Sequence, residues 1–245
     1  KAGIIKPGGD VVSYGGCPEA DLVFRRVSEE RGANLIEVDF SRLHPRSIGL
    51  EGTAFDFAPY GNLRLPLVGA YQIKNAAAAV TALEVLRKRG WRADEPVIRR
   101  GLAQVHWPGR FEVLRRSPVF LLDGAHNAHG MAAAGDSLRE LFPGCKVVFL
   151  VGLLADKDVS AMLDAIAPLA DRVFTLRPEN PRAMKAELLA SLLAERGIFA
   201  HACDTAEEGV RLALETAGPE GVVCALGSLY LSGEIRQAVE KLPHS

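Results

Sequence analysis

The sequence lacks an excess of either charge: 29 Lys and Arg face 30 Asp and Glu, a formal net charge of −1. Such a chain has no global basic field for nucleic acid or anionic lipid, which argues against a nucleic-acid module. No apolar stretch reaches the roughly 18 residues that a bilayer-spanning helix needs. Cysteine is sparse and scattered, at Cys17, Cys145, Cys203 and Cys224, without Cys-x-x-Cys spacing or a His cluster. Those thiols read as buried or indifferent reduced cysteines rather than disulfides or zinc ligands. There is no Gly-x-x-x-x-Gly-Lys-Ser/Thr loop, and no Gly-x-Gly-x-x-Gly follows the first strand of the alternating region, so a dinucleotide dehydrogenase is not supported. Internal repeats, low-complexity tracts, an initiator Met and a signal-peptide pattern are also missing.

What is present is an ordinary globular composition, 48% hydrophobic and 24% charged over 245 residues. That length can bury a substantial core as one large or two ordinary domains. In the first part, strands are expected at 11–14 and 35–40, antiparallel strands within 48–67, and helices over 18–31 and 72–88. A further helix should open after Asp94. In the 18–31 helix, Leu22, Val23 and Val27 recur at helical spacing. A boundary near residue 107 follows from Pro108-Gly109 and a fresh strand at 111–114. Beyond it, strands near 118–123, 146–152, 172–176, 198–202 and 221–226 alternate with helices at 128–141, 157–168, 182–196, 206–217 and 229–240. Thr205 and Glu208 form a capping box before the fourth of these helices. Alternation of this kind predicts an α/β fold with a mostly parallel sheet covered by helices on both faces.

The most informative stretch is Phe120-Leu121-Leu122-Asp123-Gly124-Ala125-His126-Asn127. A short apolar strand, a tight polar turn and a helix place side chains at the carboxyl edge of a parallel sheet, where open α/β folds bind ligands. Gly124 and Ala125 allow close backbone approach, while His126 and Asn127 sit near a helix amino terminus that favours anions. Thirteen residues before Asp123, Arg110 closes Trp107-Pro108-Gly109-Arg110 and offers a phosphate fork. Taken alone, Arg110 reads equally as an exposed interdomain salt bridge, and Asp123 as a turn acid that caps a helix. His126 also reads as a core or capping histidine, Asn75 as a solvated helical amide, and Asn127 as an N-cap.

Pro-Gly-Arg followed by Leu-Asp-Gly-Ala-His-Asn resembles the folylpolyglutamate synthase/dihydrofolate synthase family, within the Mur-type ATP-dependent amide ligases. Lys1-Ala2-Gly3-Ile4-Ile5-Lys6-Pro7-Gly8, Gln72-Ile73-Lys74-Asn75-Ala76, Asp156-Lys157-Asp158 and Gly227-Ser228-Leu229-Tyr230-Leu231-Ser232-Gly233-Glu234 agree in the same order. The Gly after Asp123 separates this pattern from the peptidoglycan ligases. The resemblance implies residues 1–106 as the rest of a central ATP-binding domain and 107–245 as a Rossmann-like carboxyl-terminal domain. It further implies ATP and magnesium (Mg2+) as cofactors, and an acyl phosphate attacked by L-glutamate on folate or dihydropteroate. Asn75 would read adenine, Arg110 and His126 would contact phosphate, and Asp123 would bind ribose or otherwise fix the nucleotide across a cleft. Tyr71 stands where the family more often has His. Lys1 would be the carbamylated lysine that presents anionic oxygens to magnesium. Asp156, Asp158 and Ser228 read as cleft residues or as helix caps, with capping slightly favoured. A monomer acting in the cytoplasm is expected, without nucleic-acid or membrane partners. The chain should be the later part of a longer enzyme, inactive alone because the P-loop would precede Lys1. Alternatives are another Mur-type ligase, or an inert fragment that only binds nucleotide or partners.

Overall fold

In the computed structural model, residues 1–242 are described, and the chain divides into two compact units. Lys1–Pro66 and Ala70–His106 form the first; Leu67–Gly69 and the chain from Trp107 onward form the second.

The first unit contains β1 (Asp10–Ser13) and β2 (Asn34–Glu37), paired in parallel through α1 (Pro18–Glu30). Leu22 and Val23 of α1 remain 67% and 40% exposed, so the apolar spacing of this helix is only partly used. The strand expected to reach residue 40 stops at Glu37, because the Asp39 carboxylate accepts from Ser41 N at 3.0 Å and turns the chain. An antiparallel meander follows: β3 (Leu43–Gly49), β4 (Gly52–Phe57) and β5 (Tyr60–Leu65). Along β4, Thr53, Phe55 and Phe57 are buried while the residues between them are half-exposed, the alternation of a one-sided sheet. Then come α2 (Ala70–Lys88) and α3 (Glu95–Ala103), the latter capped by Asp94, which accepts from Val97 N at 3.3 Å.

The second unit carries the alternating pattern. Its strands are β6 (Glu112–Arg116), β7 (Val119–Leu122), β8 (Val147–Val151), β9 (Ala170–Thr175), β10 (Ala200–Ala202) and β11 (Val222–Leu226). Its helices are α4 (Ala128–Leu141), α5 (Val159–Ile166), α6 (Ala186–Ala194), α7 (Ala206–Ala217) and α8 (Ser232–Glu240). The sheet order is β10-β9-β8-β11-β7-β6, parallel except for the β6–β7 pair. Every residue of β8 and β11 is buried, as central strands covered on both faces require. Phe120, Leu122, Val148, Leu150, Val223 and Ala225 pack with Val210 and Ala213 of α7 and with Ile235 and Val239 of α8. The alternate side chains Leu121, Phe149 and Cys224 are buried on the other face, the one left to α4 and α5.

Two helices start later than their sequence pattern suggests. After a turn at 181–182 the chain runs against the loop after β8, with a bridge between Leu154 and Ala183 and a bond from Met184 N to Leu153 O, so α6 begins only at Ala186. The segment expected at 229–240 is split into a 3-10 turn, Leu229–Leu231, and α8. Among the described residues no helix is long and apolar enough to cross a membrane.

Candidate functional site

β11 lies between β7 and β8 although it is last in sequence. The helix that follows β7 lies on one face of the sheet and the helix that follows β11 lies on the other. The carboxyl ends of these neighbouring strands therefore flank a topological switch point, where open α/β sheets take ligands. Three glycines stand there, one at the end of each of β7, β8 and β11. A Cβ on Gly124 would lie 2.3 Å from Leu229 Cδ2, one on Gly152 would lie 2.9 Å from Leu176 O, and one on Gly227 would lie 2.6 Å from Gly152 O. The strand-end loops thus stack backbone to backbone, with Gly227 N donating to Ala125 O at 2.8 Å.

Hairpin register brings the Pro-Gly-Arg turn to this edge. β6 and β7 pair antiparallel with Glu112 opposite Leu122, so the residues just before β6 lie beside those just after β7. Gly124 N donates to Gly109 O at 2.7 Å, and Phe111 N donates to Asp123 Oδ2 at 2.8 Å. Phe111 is fully buried with φ 50°, left-handed backbone that costs a bulky residue on the order of 1–3 kcal/mol. The Asp123 bond helps hold that conformation. Its second oxygen accepts from Ala125 N at 2.8 Å, and the residue is only 5% exposed. Asp123 therefore grips both turns at once. Its charge also helps raise the Cys224 thiol, which burial already pushes far above the usual range.

Arg110 projects from this clamped turn, half-buried, with no hydrogen bond or ion pair among the described residues. His126 is exposed, and its Nδ1 donates to Gly124 O at 2.8 Å, which leaves Nε2 available. Asn127 is the N-cap of α4, accepting from Gly130 N at 2.7 Å. A free guanidinium, an exposed imidazole and a helix amino terminus on one strand-end cluster suit an anion with several oxygens.

These observations can be set beside known proteins. Residues 109–229 match the Mur ligase, glutamate ligase domain. The folylpolyglutamate synthase of Lacticaseibacillus casei is 31% identical over 246 residues, which cover 98% of this chain and 56% of that protein. Over nearly its whole length the chain is similar to members of the folylpolyglutamate synthase/dihydrofolate synthase family. The dihydrofolate synthase/folylpolyglutamate synthase of Escherichia coli is 29% identical, with 98% of this chain and 54% of the relative covered. Among solved structures, Mycobacterium tuberculosis folylpolyglutamate synthase complexed with ADP and AMPPCP has a TM-score of 0.83 at 26% identity, covering 96% of this chain and 56% of that one. Escherichia coli FolC in complex with DHPP and ADP has a TM-score of 0.80 at 28% identity, covering 98% and 55%. The chain thus spans about half the length of the relatives it matches.

Within the second unit, Arg110, Asp123 and His126 are brought together. Asn75 and Lys1 belong to the first unit. Asn75 is exposed in the second turn of α2, its Nδ2 donating to Gln72 Oε1 at 3.2 Å. Lys1 is exposed ahead of a 3-10 turn, Ala2–Ile4. Asp158 caps α5 by accepting from Ala161 N at 3.1 Å, and Ser228 caps the Leu229–Leu231 turn. Asp156 pairs with Arg182 at 2.9 Å.

Sequence reasoning missed the other carboxylate at the turn. Glu112 Oε2 accepts from Gly109 N at 2.7 Å, and Arg236 of α8 forks onto both Glu112 oxygens at 2.7 and 2.5 Å. A charge two residues after Arg110 was visible in the sequence, but its partner 124 positions later was not.

Proposed function

We propose that this chain is the later part of an ATP-dependent ligase that joins L-glutamate to the γ-carboxylate of folate, to dihydropteroate, or to both, releasing ADP and phosphate. The observation that carries the reading is the clamped pair of turns, which presents Arg110 and His126 at the switch point of a sheet similar to that of proteins complexed with ADP.

Amide formation at neutral pH needs an activated acid, and ATP supplies it as an acyl phosphate. Catalysis of such a transfer rests on positioning and on neutralising charge around the moving phosphoryl group. Arg110 is the group assigned to that charge. His126 is assigned to phosphate or to the reacting carboxylate. Because its Nδ1 proton is already given to Gly124 O, a contact donated by Nε2 requires the doubly protonated ring. Asp123 is assigned to the nucleotide through the two backbone turns it fixes, and Asn75 to adenine, whose edge an amide can pair with as donor and acceptor.

Magnesium fits the described residues less well. They contain no group of three or more His, Cys, Asp or Glu able to hold a metal, and Lys1 as an ammonium repels one. Only as a carbamate would Lys1 offer anionic oxygens to a hard cation.

We assign the first unit to the central ATP-binding domain and the second to the Rossmann-like carboxyl-terminal domain, in a protein acting as a monomer in the cytoplasm. The test uses the full-length protein and a panel of folates, dihydropteroate and UDP-linked peptides, read as glutamate-dependent ADP release. Turnover of folate or dihydropteroate is expected; turnover of the UDP-linked peptides alone overturns the reading. Arg110→Ala should lower kcat about 10³–10⁵-fold, roughly 4–7 kcal/mol of transition-state stabilisation. A wild-type rate would remove the role given to Arg110.

A further inference from the structure

We propose that Glu112 and Arg236 are positioning residues, which set the direction in which Arg110 meets the phosphate. The proposal rests on the reading of Arg110 given above. It goes beyond that reading by assigning a task to an ion pair in which neither member would touch the ligand.

The geometry is a chain of short bonds. Arg236, fixed on α8, forks onto the Glu112 carboxylate at 2.7 and 2.5 Å. Glu112 Oε2 in turn accepts from Gly109 N at 2.7 Å, one residue before Arg110. On the other side Asp123 accepts from Phe111 N at 2.8 Å, one residue after Arg110. Arg110 is thus bracketed by two backbone amides, each held by a different carboxylate. Gly109, with φ 70°, takes left-handed backbone without steric cost, but Phe111, with φ 50°, does not, so the turn is conformationally costly at Phe111 and the anchors help hold it.

The Glu112–Arg236 pair is also placed where an ion pair can matter. Its side chains are 17% and 29% exposed, and the carboxylate holds the Arg236 guanidinium above its usual pKa. A bidentate fork is directional, so it fixes the carboxylate plane and with it the acceptor offered to Gly109 N. Loss of the fork leaves Gly109 free to rotate and moves the Arg110 guanidinium by a fraction of its own length. A misplacement of about 1 Å in a charge-stabilising group costs up to roughly 100-fold in rate.

The experiment is a double-mutant cycle in the full-length protein. Glu112→Gln keeps the size of the side chain and removes the charge that Arg236 grips. It should lower kcat/KM for ATP about 10- to 100-fold, with the KM for glutamate unchanged. In an Arg110→Ala background the same substitution should change kcat/KM less than about twofold, because it acts through the missing guanidinium. The exchanged pair, E112R with R236E, keeps an ion pair but deprives Gly109 N of its acceptor, and should be at least as impaired as E112Q. Wild-type kinetics for E112Q, or the same loss with and without Arg110, would overturn the proposal while leaving the role of Arg110 intact. An Arg110→Ala enzyme with wild-type kinetics would overturn the phosphate assignment itself, and this proposal with it.

Discussion

At the scale of single residues, the site depends more on missing side chains and committed backbone groups than on any one reactive atom. Gly227 illustrates this: its φ of 109° is left-handed, and a Cβ would stand 2.6 Å from Gly152 O, a backbone atom that cannot swing aside. Gly227→Ala should destabilise the protein by at least about 2 kcal/mol, read as the shift in a urea unfolding midpoint. An unchanged midpoint would mean that the strand ends are looser than these distances require. Asp123 teaches a related lesson. The sequence marks it as an acid in a polar turn, which suits either a ribose contact or a cap. In the structure it accepts from the amides of Phe111 and Ala125, and the first of these bonds depends on a hairpin partner no local pattern reveals. For Arg110 the sequence alone left a phosphate contact and an exposed salt bridge equally open, and in the structure it makes no ion pair among the described residues.

At the scale of elements, periodicity identified nearly every strand and helix, and local side-chain bonds set where several of the helices begin. Asn127, Asp158 and Thr205 each accept from a backbone N–H three residues on, at 2.7, 3.1 and 3.1 Å. The capping box before α7 closes with Glu208 Oε2 accepting from Asp204 N at 2.9 Å, one residue earlier than the simplest form of the motif. Because α4 carries the imidazole at its entrance, its cap is a test of both stability and site. Asn127→Ala should cost about 1 kcal/mol of stability, measured by thermal unfolding, since one orphan amide loses its acceptor. No loss of stability would show that water serves that amide equally well. The late start of α6 was not legible, because the residues before it look helical. They are held extended by Leu153 and Leu154, which are nearly thirty positions away.

At the scale of the whole molecule, solvent-exposed ion pairs tie elements together throughout the first unit. Arg89, just past the end of α2, bonds Asp10 of β1 at 2.5 Å, and Arg46 bonds Asp56 across the meander at 2.6 Å. Arg89 and then Asn34 hold the Asp10 carboxyl below its ordinary value of 3.8; Arg46 and then Asn62 N do the same for Asp56; the Ser41 hydroxyl and amide do so for Asp39. A carboxylate whose folded pKa lies below its unfolded one stabilises fully above the unfolded value, and that contribution disappears as pH falls through the folded one. The melting temperature should therefore stay level from about pH 7 to about pH 5 and drop below about pH 4. A drop already complete by pH 6 in a calorimetric series would point to histidines instead. By itself, the sequence determined the α/β class, the alternation of elements and the two short motifs, because period, caps and turn residues act within a few positions of one another. Only the tertiary structure decided that β11 inserts between β7 and β8, that the Pro-Gly-Arg turn lies against Asp123, and that Arg236 reaches Glu112. The reason is physical: strand order and hairpin register minimise the exposed apolar surface of the whole sheet, a quantity that no local stretch of sequence contains.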